Sequence, residues 1–137
     1  MNLVLWLQLA GLAHLGLIGA GARMPGVVEL SKHLAALPAF VRRLVWVYYT
    51  FMGLCLIAFG SITFFLAAEL ASGLVLARVL CGFLCIFWLT RLLVATFVFD
   101  LRPYLTNRWR WTGYQATNIA FVVLPLIYGW AAIWGGP

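Results

Sequence analysis

The sequence predicts an all-α integral membrane protein: a four-helix transmembrane bundle with a short interfacial helix between the first two spans. Apolar residues make up 66% of the 137 residues, and only nine basic and three acidic side chains are present. The mean hydropathy is +1.06, a value that soluble domains do not combine with so few charges. No polar block is long enough to form a separate domain, so residues 1–137 are expected to form a single domain.

Four continuous apolar runs reach the roughly 20 residues that a helix needs to cross about 30 Å of hydrocarbon. These predicted spans one to four cover about residues 2–22, 44–68, 74–99 and 112–134. Leucine and alanine recur throughout them, whereas a transmembrane strand would show about 9 to 11 residues of alternating character. The runs therefore indicate helices.

The connection between spans one and two is itself patterned. Four apolar residues recur there at helical spacing: Val27, Leu30, Leu34 and Leu37. Pro25 suits a first helical position, and Pro38 ends the pattern. We therefore expect residues 25–37 to form a short helix in the membrane interface, with an ordinary cytoplasmic loop as the alternative.

The basic residues predict the orientation of the chain. Most of them lie in connections one and three: Arg23, Lys32, Arg42, Arg43, Arg102, Arg108 and Arg110. The positive-inside rule then places both connections in the cytoplasm and both termini outside, in what we expect to be a bacterial inner (cytoplasmic) membrane. Aromatic belts agree, with Trp46 at the inner boundary and Tyr128 near the outer one. Basic connections of this kind predict contact with anionic lipid headgroups and not with nucleic acid.

Polar residues concentrate in the inner half of the predicted bundle. His14 and Arg91 each lie eight residues before the inner end of their span, which is a depth of about 12 Å. Tyr49 in span two and Gln115 and Asn118 in span four lie in the same half. The ligand-binding candidates are therefore His14, Tyr49, Arg91, Gln115 and Asn118, which would form an inner-leaflet pocket.

Helical spacing predicts which faces turn inward. On span one the face contains Ala10, His14, Leu17 and Gly21; on span two, Tyr49, Gly53, Leu56, Gly60 and Thr63; on span four, Gln115, Asn118, Val122, Pro125 and Gly129. These stripes are rich in small residues, which allow close helix approach in lipid. We therefore expect His14 to point into the bundle.

Each candidate also has a plain structural interpretation. Arg91 is close enough to the inner boundary for its guanidinium to snorkel toward the headgroups. A neutral His14 could be satisfied by a hydrogen bond to Tyr49, Gln115 or Asn118 without further function. Cys81 and Cys85, four residues apart on one helical face, match neither a redox pair nor a metal motif, and we expect them to pack.

The sequence lacks the residues that several kinds of chemistry require. A bis-histidine haem needs two ligands at suitable depth, but the second histidine, His33, lies in connection one. A carboxylate proton relay lacks carboxylates, because Glu29, Glu69 and Asp100 lie outside the spans or at their ends. No catalytic triad, phosphate loop or zinc spacing occurs. We expect no catalytic residues and no metal site, the sequence indicates no particular cofactor, and independent catalysis is not favoured.

Two function hypotheses from different classes follow. The first is an accessory or structural subunit, or a homo-oligomer, whose partners are other membrane helices. The alternative is a small carrier or a lipophile- or quinone-binding module that uses the pocket around His14 and Arg91. A redox or lipid-modifying enzyme is a third, weaker hypothesis. The arrangement of His14 and Arg91 discriminates among them, because the pocket hypothesis needs both residues to converge on a cavity.

Overall fold

Four long helices and two short ones make up the computed structural model, which describes residues 2–98 and 107–136. In chain order the helices are α1 (Leu3–Val27), α2 (Leu30–Ala35), α3 (Ala39–Phe65), α4 (Ala67–Ala71), α5 (Val75–Phe97) and α6 (Arg108–Trp134). α1, α3, α5 and α6 are long and apolar enough to cross a membrane. The predicted all-α fold with four spanning helices is confirmed, and the protein is an integral membrane protein.

The predicted spans coincide with the four long helices, but three of these helices extend further toward the connections. α1 continues five residues beyond the predicted limit, and α3 and α6 begin five and four residues earlier. Asn2 and Asn107 define two of the helix starts, because their side chains accept hydrogen bonds from Leu5 N at 3.4 Å and Trp109 N at 3.5 Å. The predicted end of span three, residue 99, lies outside the described residues.

The first connection differs from its prediction in detail. Pro25 lies in the last turn of α1 and does not begin a new helix. The chain breaks instead at Glu29, which has a left-handed backbone conformation with φ 49°, and α2 follows as a separate short helix. Leu34 is buried and attaches α2 to the bundle. The expected short helix therefore exists, but it is confined to Leu30–Ala35.

The helices pack as two closely associated pairs. α1 packs along α3, and α5 packs along α6; α1 also contacts α4 and α6. The backbones of α3 and α5 do not pack closely, and these helices meet through aromatic rings. Phe59 of α3 lies 5.9 Å from Phe83 and 5.2 Å from Phe87, measured between ring centroids. A groove between α3 and α5 results.

The end of the bundle at which α5 begins and α6 ends is held by the last residues of the described chain. Gly136 N donates to Ala71 O at 3.0 Å, and Arg78 Nη2 donates to Gly135 O at 2.9 Å. Gly73, at φ 73°, allows the turn before α5 to approach Gly135 closely, because it has no side chain. These contacts tie the end of α6 to the turn between α4 and α5.

Candidate functional site

His14 lies at the centre of the bundle and is completely buried. Its Nδ1 atom lies 2.7 Å from Ala10 O, which can only accept, so a neutral His14 ring carries its proton on Nδ1. Nε2 then presents a lone pair, and within the described chain it has no hydrogen-bond partner. Trp88 Nε1, a buried donor of α5, likewise has no partner there. The bundle centre therefore contains an unpaired acceptor and an unpaired donor.

Two glycines allow α1 and α3 to close around His14. A Cβ atom added at Gly60 would lie 2.8 Å from the His14 Cβ, and one added at Gly11 would lie 2.7 Å from the Phe64 Cβ. Neither distance is compatible with a real side chain, so α1 and α3 approach this closely only because both positions are glycine. The predicted inward faces of spans one and two are confirmed at Ala10, His14 and Thr63, which are all buried.

A second buried polar pair links α3 and α6. Thr63 Oγ1 donates to Phe59 O at 2.7 Å and lies 2.7 Å from the Tyr128 hydroxyl. Because a threonine hydroxyl has one proton, Tyr128 is the donor to Thr63. Tyr128 is completely buried. Tyr128, predicted near the outer boundary as part of an aromatic belt, faces the bundle interior, because Thr63 gives its hydroxyl a partner there.

Aromatic rings connect His14 with Arg91 but also separate them. The ring centroid of His14 lies 5.1 Å from that of Trp88, which lies 5.7 Å from Phe121. The Arg91 guanidinium carbon lies 5.8 Å from the centroid of the Phe121 ring. His14, Trp88, Phe121 and Tyr128 form what we call the central cluster. His14 lies inside it, and Arg91 lies on its edge with an exposed side chain.

Arg91 borders the groove between α3 and α5, which has a volume of about 300 Å³. The groove is lined by Met52, Phe83, Ile86, Phe87, Thr90, Arg91 and Val94. None of the other four predicted pocket residues lines it. Apart from Arg91 and Thr90, the lining side chains are apolar, so the groove combines one permanent positive charge with a hydrophobic wall.

The remaining predicted site residues lie elsewhere. The Tyr49 hydroxyl donates to the carbonyl of Gly21, and its ring packs edge-on against Trp46. Gln115 and Asn118 are half-buried on α6. The described contacts of His14 are to Ala10, Gly60, Trp88 and Tyr128, and do not include Tyr49, Gln115 or Asn118. The structure therefore distributes the five residues among different places.

Sequence reasoning missed Trp88 and Phe121. A signal for Trp88 was available, because Cys81, Leu84 and Trp88 follow each other at spacings of three and four and form the buried face of α5. The packing role expected for the cysteines agrees with the burial of Cys81 and with Cys85, whose thiol donates to Pro125 O at 3.3 Å.

The chemical capacity of the central cluster is limited. The described residues contain no group of three His, Cys, Asp or Glu side chains that could hold a metal ion. The cluster combines an imidazole, an indole, a phenyl ring and a phenol, and none of its four residues has a carboxylate. Comparisons with protein-family profiles, curated protein sequences and solved structures find no significant match.

Proposed function

We propose that this protein is an accessory or structural subunit of a membrane assembly, or a homo-oligomer. The face of α1 that points away from the bundle would contact the partner helix. Gly16, Gly19 and Ala20 lie on this face and are all exposed. A Cβ atom added at Gly16 or Gly19 would meet no other atom within 4 Å. We call these three residues the α1 glycine face. The proposal rests on the observation that this face of small residues has no packing neighbour among the described residues.

Small residues have a specific use in transmembrane helices. Lipid chains are as apolar as leucine, so helices associate through close van der Waals packing, which small residues permit. Gly11 and Gly60 already serve this purpose inside the bundle, where a Cβ at either position would clash. Gly16 and Gly19 have no such neighbour among residues 2–98 and 107–136. A helix from another copy or another subunit would supply it.

The alternative, a carrier or lipophile-binding module around His14 and Arg91, has less support. The lone pair of His14 Nε2 lies in a packed core, and the groove at Arg91 does not include His14. A shared ligand would have to displace Trp88 and Phe121, which lie between the two residues. The packing hypothesis requires no such rearrangement.

We place the protein in a bacterial cytoplasmic membrane with both termini outside. Arg42 and Arg43 lie in the first two turns of α3, Arg108 and Arg110 lie in the first turn of α6, and Arg23 lies in the last turns of α1. These positions collect at one end of an alternating bundle, which supports a cytoplasmic location for that end. A reporter enzyme that is active only outside the membrane, fused to the C-terminus, is expected to be active. Activity only of a cytoplasmic reporter would overturn this orientation.

The assembly proposal is tested by filling the α1 glycine face. In Gly16→Leu and Gly19→Leu, we expect the oligomer or hetero-complex purified in mild detergent to dissociate at least about tenfold more readily, since close packing accounts for the association. Gly82→Leu on α5 is the matched control, because a Cβ at Gly82 also meets nothing within 4 Å. Mass photometry and cross-linking in native membranes measure which oligomers or hetero-complexes each variant forms. A monomer without partners, or equal effects of all three variants, would contradict the proposal.

A further inference from the structure

We propose that the groove between α3 and α5 binds one anionic glycerophospholipid, with the lipid phosphate on the Arg91 guanidinium and an acyl chain along Phe87 and Phe83. The site does not depend on the α1 glycine face, which lies on a different helix. The inference rests on three properties of the groove: its charge, its depth in the membrane and its shape.

The charge of Arg91 has no counter-ion in the described part of the chain. Its described contact is the face of the Phe121 ring, which uses none of the guanidinium N–H groups in a conventional hydrogen bond. Of the described carboxylates, Glu29 is paired with Lys32 at 2.8 Å, and Glu69 lies in α4 at the opposite end of the bundle. A guanidinium stays protonated in a membrane and needs an anionic or strongly polar partner. A phosphate accepts bidentate hydrogen bonds from it.

The depth of Arg91 suits a headgroup. Arg91 lies six residues before the end of α5 at Phe97, which corresponds to about 9 Å along the helix. In the structure the guanidinium lies over the Phe121 ring, and to bind a headgroup the long side chain would extend toward the interface, which covers most of this distance. The same end of the bundle contains Arg42 and Arg43 near the start of α3 and Arg108 and Arg110 near the start of α6, so it attracts anionic lipid from the adjacent leaflet.

The shape of the groove suits an acyl chain. Phe87 and Phe83 lie four and eight residues before Arg91 on the same face of α5, so the apolar wall extends about 12 Å along the helix from the backbone of Arg91. Met52 lines the opposite side, on α3. Beyond this wall, Phe59 of α3 packs edge-on against both phenylalanine rings, with ring centroids 5.9 Å from Phe83 and 5.2 Å from Phe87. The groove is therefore polar at the headgroup end and apolar at the other.

Native mass spectrometry tests this site with phosphatidylglycerol and phosphatidylcholine as the two probes. We expect the wild-type protein to retain phosphatidylglycerol preferentially, and Arg91→Gln to lose about fivefold in apparent affinity for it, the effect of one basic residue near an anionic headgroup. Arg42→Gln is the control, because it removes the same charge from the same end of the bundle without touching the groove. Arg91→Lys should bind better than Arg91→Gln but more weakly than the wild type, because the ammonium keeps the charge and loses the bidentate contact.

A second variant tests the apolar part of the site without changing its charge. Thr90→Trp is expected to fill the groove and weaken phosphatidylglycerol binding while Arg91 remains, and circular dichroism checks that each variant is folded. Equal retention of both lipids, or equal losses in Arg91→Gln and Arg42→Gln, would overturn the proposal. Loss of a co-purifying protein instead of lipid in Arg91→Gln would also overturn it, because the counter-ion would then be a carboxylate of a partner helix.

Discussion

The Tyr49 hydroxyl donates to the carbonyl of Gly21, so a side chain of α3 completes the backbone hydrogen bonding of α1. In a regular helix this carbonyl would accept from the amide of residue 25, but Pro25 has no amide hydrogen. Tyr49 therefore supplies the donor that Pro25 lacks. This arrangement explains how α1 continues through a proline in its last turns.

We expect Tyr49→Phe to destabilise the protein by about 0.5–1.5 kcal/mol, the net contribution of a typical intramolecular hydrogen bond. The loss should shrink in a Pro25→Ala background, because alanine restores an amide donor to the Gly21 carbonyl. Unfolding in mixed detergent micelles, followed by circular dichroism for the four members of the double-mutant cycle, measures the coupling. Equal losses in both backgrounds would show that the two residues act independently.

The contact of Gly60 with His14 leads to a second prediction. We expect Gly60→Ala to destabilise the bundle by about 1–3 kcal/mol, because the new methyl group overpacks the α1–α3 interface. Its distance to the His14 Cβ would be 2.8 Å without rearrangement. Gly53→Ala is the control on the same helix, since a Cβ there meets nothing within 4 Å. Thermal unfolding in detergent should separate the two variants, and similar midpoints would contradict the close approach of α1 and α3 at this position.

The sequence predicted the burial of His14 better than the surroundings of Arg91, for a physical reason. The burial of His14 depends on the 3.6-residue repeat of apolar and small residues along one helix, and this repeat can be read from the sequence. The exposure of Arg91 depends on the separation of α3 and α5, which is decided by packing among all helices. Likewise, the spacing along α3 predicted that Thr63 faces inward, but only the tertiary structure identifies Tyr128 as its donor.

The hydrogen bond between Tyr128 and Thr63 predicts asymmetric effects of its two deletions. Thr63→Val should cost about 1–3 kcal/mol, because it leaves the buried Tyr128 hydroxyl without an acceptor. Tyr128→Phe should cost only about 0.6 kcal/mol, since Thr63 still donates to the carbonyl of Phe59. Thr63→Ser retains the hydroxyl and is the control. Unfolding in mixed micelles measures all three, and a larger cost for Tyr128→Phe would mean that Thr63 is the donor in this pair.

The unpaired Nε2 atom of His14 provides the last prediction. We expect His14→Phe to change the stability by less than about 1 kcal/mol, because it replaces an unsatisfied buried polar atom with an apolar group of similar size. His14→Ala should cost about 2–5 kcal/mol through the cavity that it leaves among Trp88, Tyr128 and Gly60. Measuring the unfolding of both variants in the same detergent distinguishes the effect of lost packing on stability from the effect of the lost polar group. If His14→Phe is as costly as His14→Ala, Nε2 has a bound partner, and the lipophile-binding hypothesis gains support over the purely structural one.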